Sequence, residues 1–321
     1  MKAIVYERYG PPEVLQLKEV EKPMPGEKQV LVKVHAASAN AMDYRRFEKL
    51  SLLGRFMDER VTKAVNTILG ADVAGTVEAV GSRVTEFKPG DDVFGVAPGA
   101  FAEYACNGAS KFALKPVNVS FEEAAAVPVA AFTALQGLRD KGKIQSGQKV
   151  VIRGASGGVG TFAVQIAKSF ETEVTAVCST RNLEMARSIG ADHVIDYTRE
   201  DFTRTGQRYD LILAVNGYHP FLHYRRALTA GGTCVIAGGT IPQVLQAMLL
   251  GPLISGIGNR KIGFMGIATT PRDDLLAIRD LLETRKIVPV IDRQYPLNEV
   301  AEAFRYLVKD HARGKVVIAV A

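Results

Sequence analysis

The run QKVVIRGASGGVGTFAVQIAKS, residues 148–169, most narrows what this chain can become. Val150, Val151 and Ile152 form a short apolar, β-branched run of the kind that makes a buried strand. Gly154, Ala155, Ser156, Gly157, Gly158, Val159 and Gly160 follow, and then Phe162, Ala163, Ile166 and Ala167 recur at helical spacing. Strand, glycine turn and helix, in that order, is the context that gives a glycine motif meaning. Glycine lets the backbone approach a diphosphate, and the next helix offers it unpaired N–H groups and a positive dipole end. In G-x-G-x-x-G register the second and third glycines are Gly157 and Gly160, while Ala155 holds the first position. A tight βα turn with no ligand shares this local pattern, so the surroundings must decide.

Beyond the turn, helix and strand alternate. Strands are expected at 149–153, 174–178, 193–195, 210–214, 232–236 and 261–266, with helices between them. Such alternation implies a parallel sheet with helices on both faces. Residues 1 to about 118 differ: short strands broken by Gly and Pro, including Lys2 to Tyr6, the alternating Val30, Val32 and Val34, Gly70 to Val80 and Asp92 to Val96. Asp43 to Leu53 reads as a helix among them. That texture predicts a compact, barrel-like β domain. It changes near Ser120, where Ser120-Phe121-Glu122-Glu123 makes a capping box. A helix from Pro271 to about Arg285, a strand at 288–292, a helix at 298–309 and a strand at 315–320 do not continue the repeat cleanly. The chain is therefore expected to return to its first domain, giving 1–119 with 271–321 as one domain and 120–270 as the other.

With 321 residues, 47% of them hydrophobic, two cores can be built. The 40 basic residues are interspersed with 34 acidic ones, without a long basic run. A mild attraction for phosphates fits the net charge of +6 better than nucleic-acid binding does. MKAIVYERYG reads as a first strand and not as a signal. The nearest approach to a membrane span, Gln243 to Gly258, is interrupted by Pro252 and several glycines, so no membrane partner is expected. Cys106, Cys178 and Cys234 are scattered and odd in number, which suits a reducing compartment and predicts a cytoplasmic protein.

Seven segments in order carry a resemblance: AIVYERYGPPEVLQL, PMPGEKQVLVKVHAASAN, GADVAGTVEAVG, FKPGDDVFG, VPVAAFTALQGL, GASGGVG and the closing RGKVVIAV. Together they resemble the medium-chain dehydrogenase/reductase superfamily, in its zinc-free quinone oxidoreductase (zeta-crystallin-like) branch, over nearly the whole chain. The resemblance implies an α/β protein: a GroES-like β-rich catalytic domain made from both chain ends, around a Rossmann domain with a doubly wound parallel sheet. It implies NAD(P)H as hydride donor. It also implies a homodimer joined edge to edge through the Rossmann sheets, here at Ile262 to Ile267.

The alcohol dehydrogenase relatives hold a catalytic zinc, which needs about three Cys, His or carboxylate ligands and an open position. Their Gly-His-Glu motif falls on Gly70, Ala71 and Asp72, and their early Cys ligand falls near Asn40. Ala71 cannot bind a metal, and the four-cysteine structural loop is absent, so no metal is expected. His219 and His223 stand four apart, which would put both on one helix face. With no third ligand evident nearby, a capping or surface role is expected for them.

An NAD-preferring site puts Asp or Glu at the end of the second strand, on the ribose 2′-OH. Here that strand ends in Ser179, Thr180 and Arg181, with no carboxylate. Two hydroxyls and a guanidinium suit a 2′-phosphate and predict NADPH. Capping of the helix at 181–188 by Ser179 and Thr180 is the alternative, and is compatible with phosphate contact. Arg181 has the alternative of a solvated side chain. The resemblance places Tyr197 near the adenosine phosphate and Thr133 beside the nicotinamide, with a helix-interior threonine bonding back to a carbonyl as the competing role of Thr133. Lys168 is read as the solvent face of the first helix. The turn residues Ser156, Gly157, Gly158 and Val159 are assigned to the diphosphate. Strand ends bring Asn216, Gly238, Phe264 and Met265 toward the cofactor. Asn216 departs from the family, where Asp is common.

From the small domain, the resemblance turns Asn40, Asp43 and Tyr44 toward the nicotinamide or substrate. Asn40 is assigned to a substrate carbonyl or ribose hydroxyl, and Tyr44 to orienting substrate or giving a proton. A loop-capping Asn and a packed aromatic are the competing roles, and Asp43 is read as structural. Without a metal, the chemistry that fits is direct hydride transfer to a quinone or an α,β-unsaturated carbonyl, each already an acceptor. The alternatives are a zinc-free carbonyl reductase or alcohol dehydrogenase, and a non-catalytic NADPH-binding sensor. Leu50 to Asn66 is longer than a plain connection and reads either as a cover for the cleft or as an ordinary surface helix and loop.

Overall fold

The structure is a computed structural model and describes residues 1–48, 67–217, 219–239, 246, 259–309 and 312–320. The segment from Leu50 to Asn66 read above as a possible cover lies outside the described residues.

β1 (Lys2–Tyr6) pairs antiparallel with β2 (Gln16–Glu19). β3 (Gln29–Ala39) follows the Pro-Gly turn and is the longest strand described, with Val30, Val32 and Val34 buried on alternate positions. α1 (Ala41–Glu48) comes next, then β4 (Thr67–Ile68), which pairs with β1. β5 (Asp72–Val80), β6 (Asp92–Val96), β7 (Tyr104–Gly108) and β8 (Phe112–Leu114) complete the N-terminal strands. The capping box then opens α2 (Phe121–Ala125): the Glu123 amide donates to Ser120 Oγ, and the Ser120 amide donates to the Glu123 carboxylate. α3 (Pro128–Gln136) carries Pro at its first position, where a missing N–H costs nothing.

β9 (Lys149–Arg153) and α4 (Gly158–Ser169) are the strand and helix around the glycine turn. β10 (Glu173–Cys178), α5 (Leu183–Ser188), β11 (His193–Asp196), β12 (Tyr209–Ala214), α6 (Phe221–Ala227), β13 (Leu228–Ile236) and β14 (Lys261–Phe264) follow. Their sheet is parallel throughout, in the order β11-β10-β9-β12-β13-β14. Counted from β9 this is 3-2-1-4-5-6, the doubly wound dinucleotide-binding order. Val150, Val151 and Ile152 have no exposed surface, and neither do Leu211, Ile212 and Leu213 beside them. Such continuous apolar runs are what a strand covered on both faces requires. The strand expected at 261–266 ends at Phe264 and forms an edge of this sheet.

α7 (Arg272–Glu283), β15 (Ile291–Pro296), α8 (Val300–Lys309) and β16 (Lys315–Ala319) end the chain. β16 runs antiparallel to β3, with Val316 opposite Ala39 and Ile318 opposite Ala37. The first sheet reads β15-β16-β3-β5-β6-β8, with β7 also on β3. The return of the C-terminus is thus a strand pairing, sealed by Phe47, Phe101 and Phe304, all fully buried. β15 starts three residues later than the expected strand at 288–292.

Two compact units result: Met1–Val129 with Thr270–Glu283 and Ile291–Ala321, and Ala130–Thr269 with Thr284–Val290. The change of texture at Ser120 therefore precedes the division by ten residues. α2 packs on β3 and β5, and the Val129 amide donates to Asp72, so 120–129 stay with the first unit. In the second unit the side chain of Gln165 brackets Val288, accepting from its N–H and donating to its carbonyl, which ties 284–290 there. No helix among the described residues is long and apolar enough to cross a membrane.

Candidate active site

The strand order reverses between β9 and β12, and sheets of this kind bind ligands at the C-terminal strand ends beside such a reversal. The glycine turn leaves β9 there. Gly154 has φ +82°, a left-handed backbone that favours glycine. A Cβ on it would also sit 3.2 Å from the Asn216 amide nitrogen, so the β9 and β12 turns adjoin. Gly154, and not Ala155, supplies the tight turn of the motif. The register is G-x-x-G-x-x-G, and Ala155 is a buried small residue beside it. Gly157 is the N-cap of α4, and Ser156, Gly158 and Val159 are half-buried around the first turn. Gly160 is the close-packing position: a Cβ there would lie 2.0 Å from the Gly154 carbonyl oxygen.

At the end of β10, Ser179 caps a short turn over Thr180–Asn182 without a side-chain capping bond to the backbone, and Asn182 Nδ2 donates to its Oγ. Arg181 and Tyr197 are exposed, and the Tyr197 amide donates to the Cys178 carbonyl. A carboxylate does reach this place, from the neighbouring strand. Asp196, at the end of β11, accepts from the Thr180 hydroxyl. Hydrogen bonds from Thr180 and Thr198 hold its carboxyl below the usual range. The stretch Ser179–Arg181 carries no acid of its own, so only the parallel pairing of β10 with β11, Cys178 opposite Asp196, reveals this charge. The Thr180 proton is thereby committed, while Arg199 approaches the same carboxylate at 3.6 Å. Lys168 is paired with Asp192 at 2.8 Å, the surface role expected of it.

Asn216 follows β12. Its side-chain oxygen accepts from the Gly217 amide at 2.8 Å, and its carbonyl accepts from the Arg153 guanidinium. Gly238 and Phe264 are half-buried at the ends of β13 and β14, while Met265 is 5% exposed and its amide donates to the Ile236 carbonyl. Thr133 is half-buried on α3.

In the first unit the expected residues meet a buried polar cluster. Asp72, fully buried, accepts from Ser38 Oγ at 2.7 Å, Asn40 Nδ2 at 2.9 Å and the Val129 amide at 2.8 Å. Lys315 Nζ lies 3.3 Å from the same carboxylate and donates to Asn40 Oδ1 at 2.6 Å. Asn40 thus spends its oxygen on Lys315 and one N–H on Asp72. Its other N–H makes a longer bond, 3.3 Å, to the Ser38 carbonyl. Tyr44 lies edge-on to Phe47 at 5.3 Å between ring centres and 6.3 Å from Phe304, the packed-aromatic arrangement. Lys315 was not foreseen. Only its place in RGKVVIAV, on a strand opposite β3, marked it.

This cluster also tests the family's catalytic zinc. A metal there needs several lone pairs free to ligate it. Here Ala71 offers none, Asn40 is held between Lys315 and Asp72, and Asp72 already faces an ammonium. The residues do not fit the metal.

Asp43 sits beside the cluster, 3% exposed, and accepts from the Asn40 amide at 3.0 Å. Burial pushes its carboxyl up to about 7, with the Asp72 charge adding to the rise. Between about pH 4 and 7 the folded chain holds a proton that the unfolded chain releases, so this group's contribution falls as pH rises through that window. Asp43→Asn keeps an acceptor oxygen and cannot ionise. Its thermal midpoint should decline less than the wild type's across that window, leaving the variant the more stable one at neutral pH. Equal slopes in melts recorded across the range would remove Asp43 as the cause.

His219 lies before α6 and His223 within it, so the two do not share a helix face. A third ligand does stand nearby: Asp201 brings a carboxylate between them.

Residues 26–133 match the family model of the alcohol dehydrogenase GroES-like domain, and 189–318 match that of zinc-binding dehydrogenases. A 2-methylene-furan-3-one reductase of Solanum lycopersicum is 35% identical over 99% of this chain and 79% of its own length. An NADPH-dependent alkenal/one oxidoreductase of Arabidopsis thaliana, chloroplastic, is 33% identical over the same shares. The solved quinone oxidoreductase of Coxiella burnetii superposes with a TM-score of 0.87 at 29% identity, over 100% of this chain and 99% of that one. Sheet order, an ion pair of Lys315 with Asp72, which falls on the zinc motif, and similarity to these reductases over 99% or more of this chain agree: the chain belongs to the medium-chain dehydrogenase/reductase superfamily, in its zinc-independent quinone oxidoreductase branch.

Proposed function

We propose that this protein is an NADPH-dependent reductase that delivers hydride to a quinone or an α,β-unsaturated carbonyl. The observation that carries the reading is the Asp72–Lys315 pair where alcohol-oxidising relatives place a Lewis acid. In this superfamily zinc normally activates a saturated alcohol, whereas a quinone or enone is already electrophilic. The product anion can then take its proton from water. Relatives named for alkenal/one and furanone reduction support the same acceptor class.

The Gly154–Gly160 turn and the start of α4 would hold the diphosphate. Ser179, Arg181 and Tyr197 would hold the 2′-phosphate end, with Thr180 in a supporting place because it already donates to Asp196. Thr133, Asn216, Gly238, Phe264 and Met265 are assigned to the nicotinamide end. The reduced nicotinamide supplies the hydride, and the chain's part is to position the acceptor and exclude water. Asn40 has one weakly engaged N–H that an acceptor carbonyl can compete for, and Tyr44 is assigned to packing. Assembly as a homodimer through the β14 edge, in the cytoplasm, belongs to the same reading.

A panel of quinones, enones, aldehydes and alcohols, followed at the nicotinamide absorbance, tests it. Turnover confined to quinones or enones is expected. Equal oxidation of saturated alcohols would favour the alcohol dehydrogenase alternative, and tight NADPH binding without turnover the sensor. Arg181→Ala should weaken NADPH about tenfold to a hundredfold, the worth of a lost charge-assisted contact, and leave NADH nearly unchanged. Equal losses for both cofactors would refute the assignment of Arg181.

A further inference from the structure

In the Rossmann unit, three side chains that the proposed reaction does not use converge. Asp201 leads into the turn at Phe202–Arg204, His219 stands in the connection after β12, and His223 is in the first turn of α6. One ligand atom from each lies within 4.8 Å of the others. His219 Nε2 is 3.4 Å from Asp201 Oδ1, and His223 Nδ1 is 4.0 Å from Asp201 Oδ2. A tetrahedral site with bonds of about 2.0–2.1 Å has ligand-to-ligand edges of roughly 3.3 Å, so these atoms need only small shifts to share one ion.

Two further observations point the same way. His223 Nδ1 is buried and has no hydrogen-bond partner among the described residues. A buried ring nitrogen without a partner is costly unless something outside the chain satisfies it. The ligands are also held in place. Asp201 Oδ1 accepts from the amide and hydroxyl of Thr203, His219 stacks on Phe202 at 5.8 Å, and the two imidazole rings stand edge to face at 5.1 Å. Arg204 is the competitor, 3.5 Å from Asp201 Oδ2, but its side chain is 68% exposed and free to swing into solvent.

We infer that Asp201, His219 and His223 form a peripheral binding site for a divalent transition metal of the zinc class, separate from the hydride chemistry. Two imidazoles and one carboxylate are the donor set that such ions prefer, with a fourth position left for water. Its consequence is structural. The ion would tie the connection carrying Asn216 more firmly to the turn at Phe202–Arg204, two segments that already meet through the stacking of His219 on Phe202 and the 3.5 Å contact of His219 Nε2 with Thr203 Oγ1.

The test uses tag-free, full-length protein stripped with a chelator and titrated with Zn2+ by calorimetry, with melts alongside. One equivalent should bind and raise the thermal midpoint. Co2+ in its place should show the intense visible bands of a four-coordinate site. His223→Ala and Asp201→Asn, each checked for native circular dichroism, should weaken Zn2+ by about a hundredfold or more, since losing even an outer partner of a ligand costs tenfold to a hundredfold. His35→Ala and His193→Ala, remote from the cluster, should bind as the wild type does. Absence of stoichiometric binding by the wild type would overturn the inference. So would binding that survives both cluster variants. Because the readouts are metal affinity and spectrum, the result does not depend on the proposed reductase activity.

Discussion

Lys315→Met should destabilise the β-rich unit by about 3–5 kcal/mol, the cost of leaving a buried charge without its partner. Asp72 would keep its bonds from Ser38, Asn40 and the Val129 amide, but its carboxylate has no exposed surface through which water could compensate. For a unit of this size that is a drop of roughly 10 °C in thermal midpoint. Asp72→Asn in the same chain removes the orphaned charge, so the double variant should recover most of the loss, because a neutral replacement of both partners is often tolerated. A single variant within about 1 kcal/mol of the wild type would mean that the pair is not the anchor its burial suggests. The same variant also frees Asn40 Oδ1 from Lys315, so acceptor reduction should weaken beyond what stability explains.

The second large effect is at Gly160. Alanine there would put a Cβ 2.0 Å from the Gly154 carbonyl oxygen and 2.8 Å from Ala155 backbone atoms. Both obstacles are main chain, so α4 must back away from β9 by more than an ångström. Overpacking of that kind costs about 1–3 kcal/mol or more. The turn amides would move with the helix, and NADPH affinity should fall by roughly a hundredfold, since charge-assisted diphosphate contacts are each worth about 1.5–3 kcal/mol. Gly157→Ala is the informative contrast. Its Cβ would meet only the Gly154 carbonyl oxygen at 3.6 Å, an ordinary contact. That variant should melt like the wild type and still bind NADPH poorly if a diphosphate must approach this backbone. Normal affinity in Gly157→Ala would place the diphosphate elsewhere.

Local patterns made most of the fold legible. β9, the glycine turn and α4 follow from one 22-residue run because strand, turn and helix signals are properties of neighbours along the chain. The same holds for β10 to β13 and for the Ser120 capping box. Errors were of a residue or a few where a local signal was shared. Gly154 and Ala155 both satisfy a loose glycine motif, and only the backbone angle told which one turns the chain. The break in the helix–strand alternation after Pro271 made the return of the C-terminus to the first unit legible, whereas its pairing with β3 came only from the structure.

What the sequence could not determine is which charges meet. Asp72 and Lys315 are 243 positions apart and carry no mark of each other until β16 is laid beside β3. Asp196 reaches Thr180, at the end of β10, only because β11 lies in register with β10. Asp201 becomes a neighbour of His219 and His223 only when the segments after β11 and β12 fold together. Periodicity reports how a side chain stands relative to its own element, so it fixes strands, helices and their buried faces. The environment of a charge depends on which elements pack around it, and that is decided by the assembled chain.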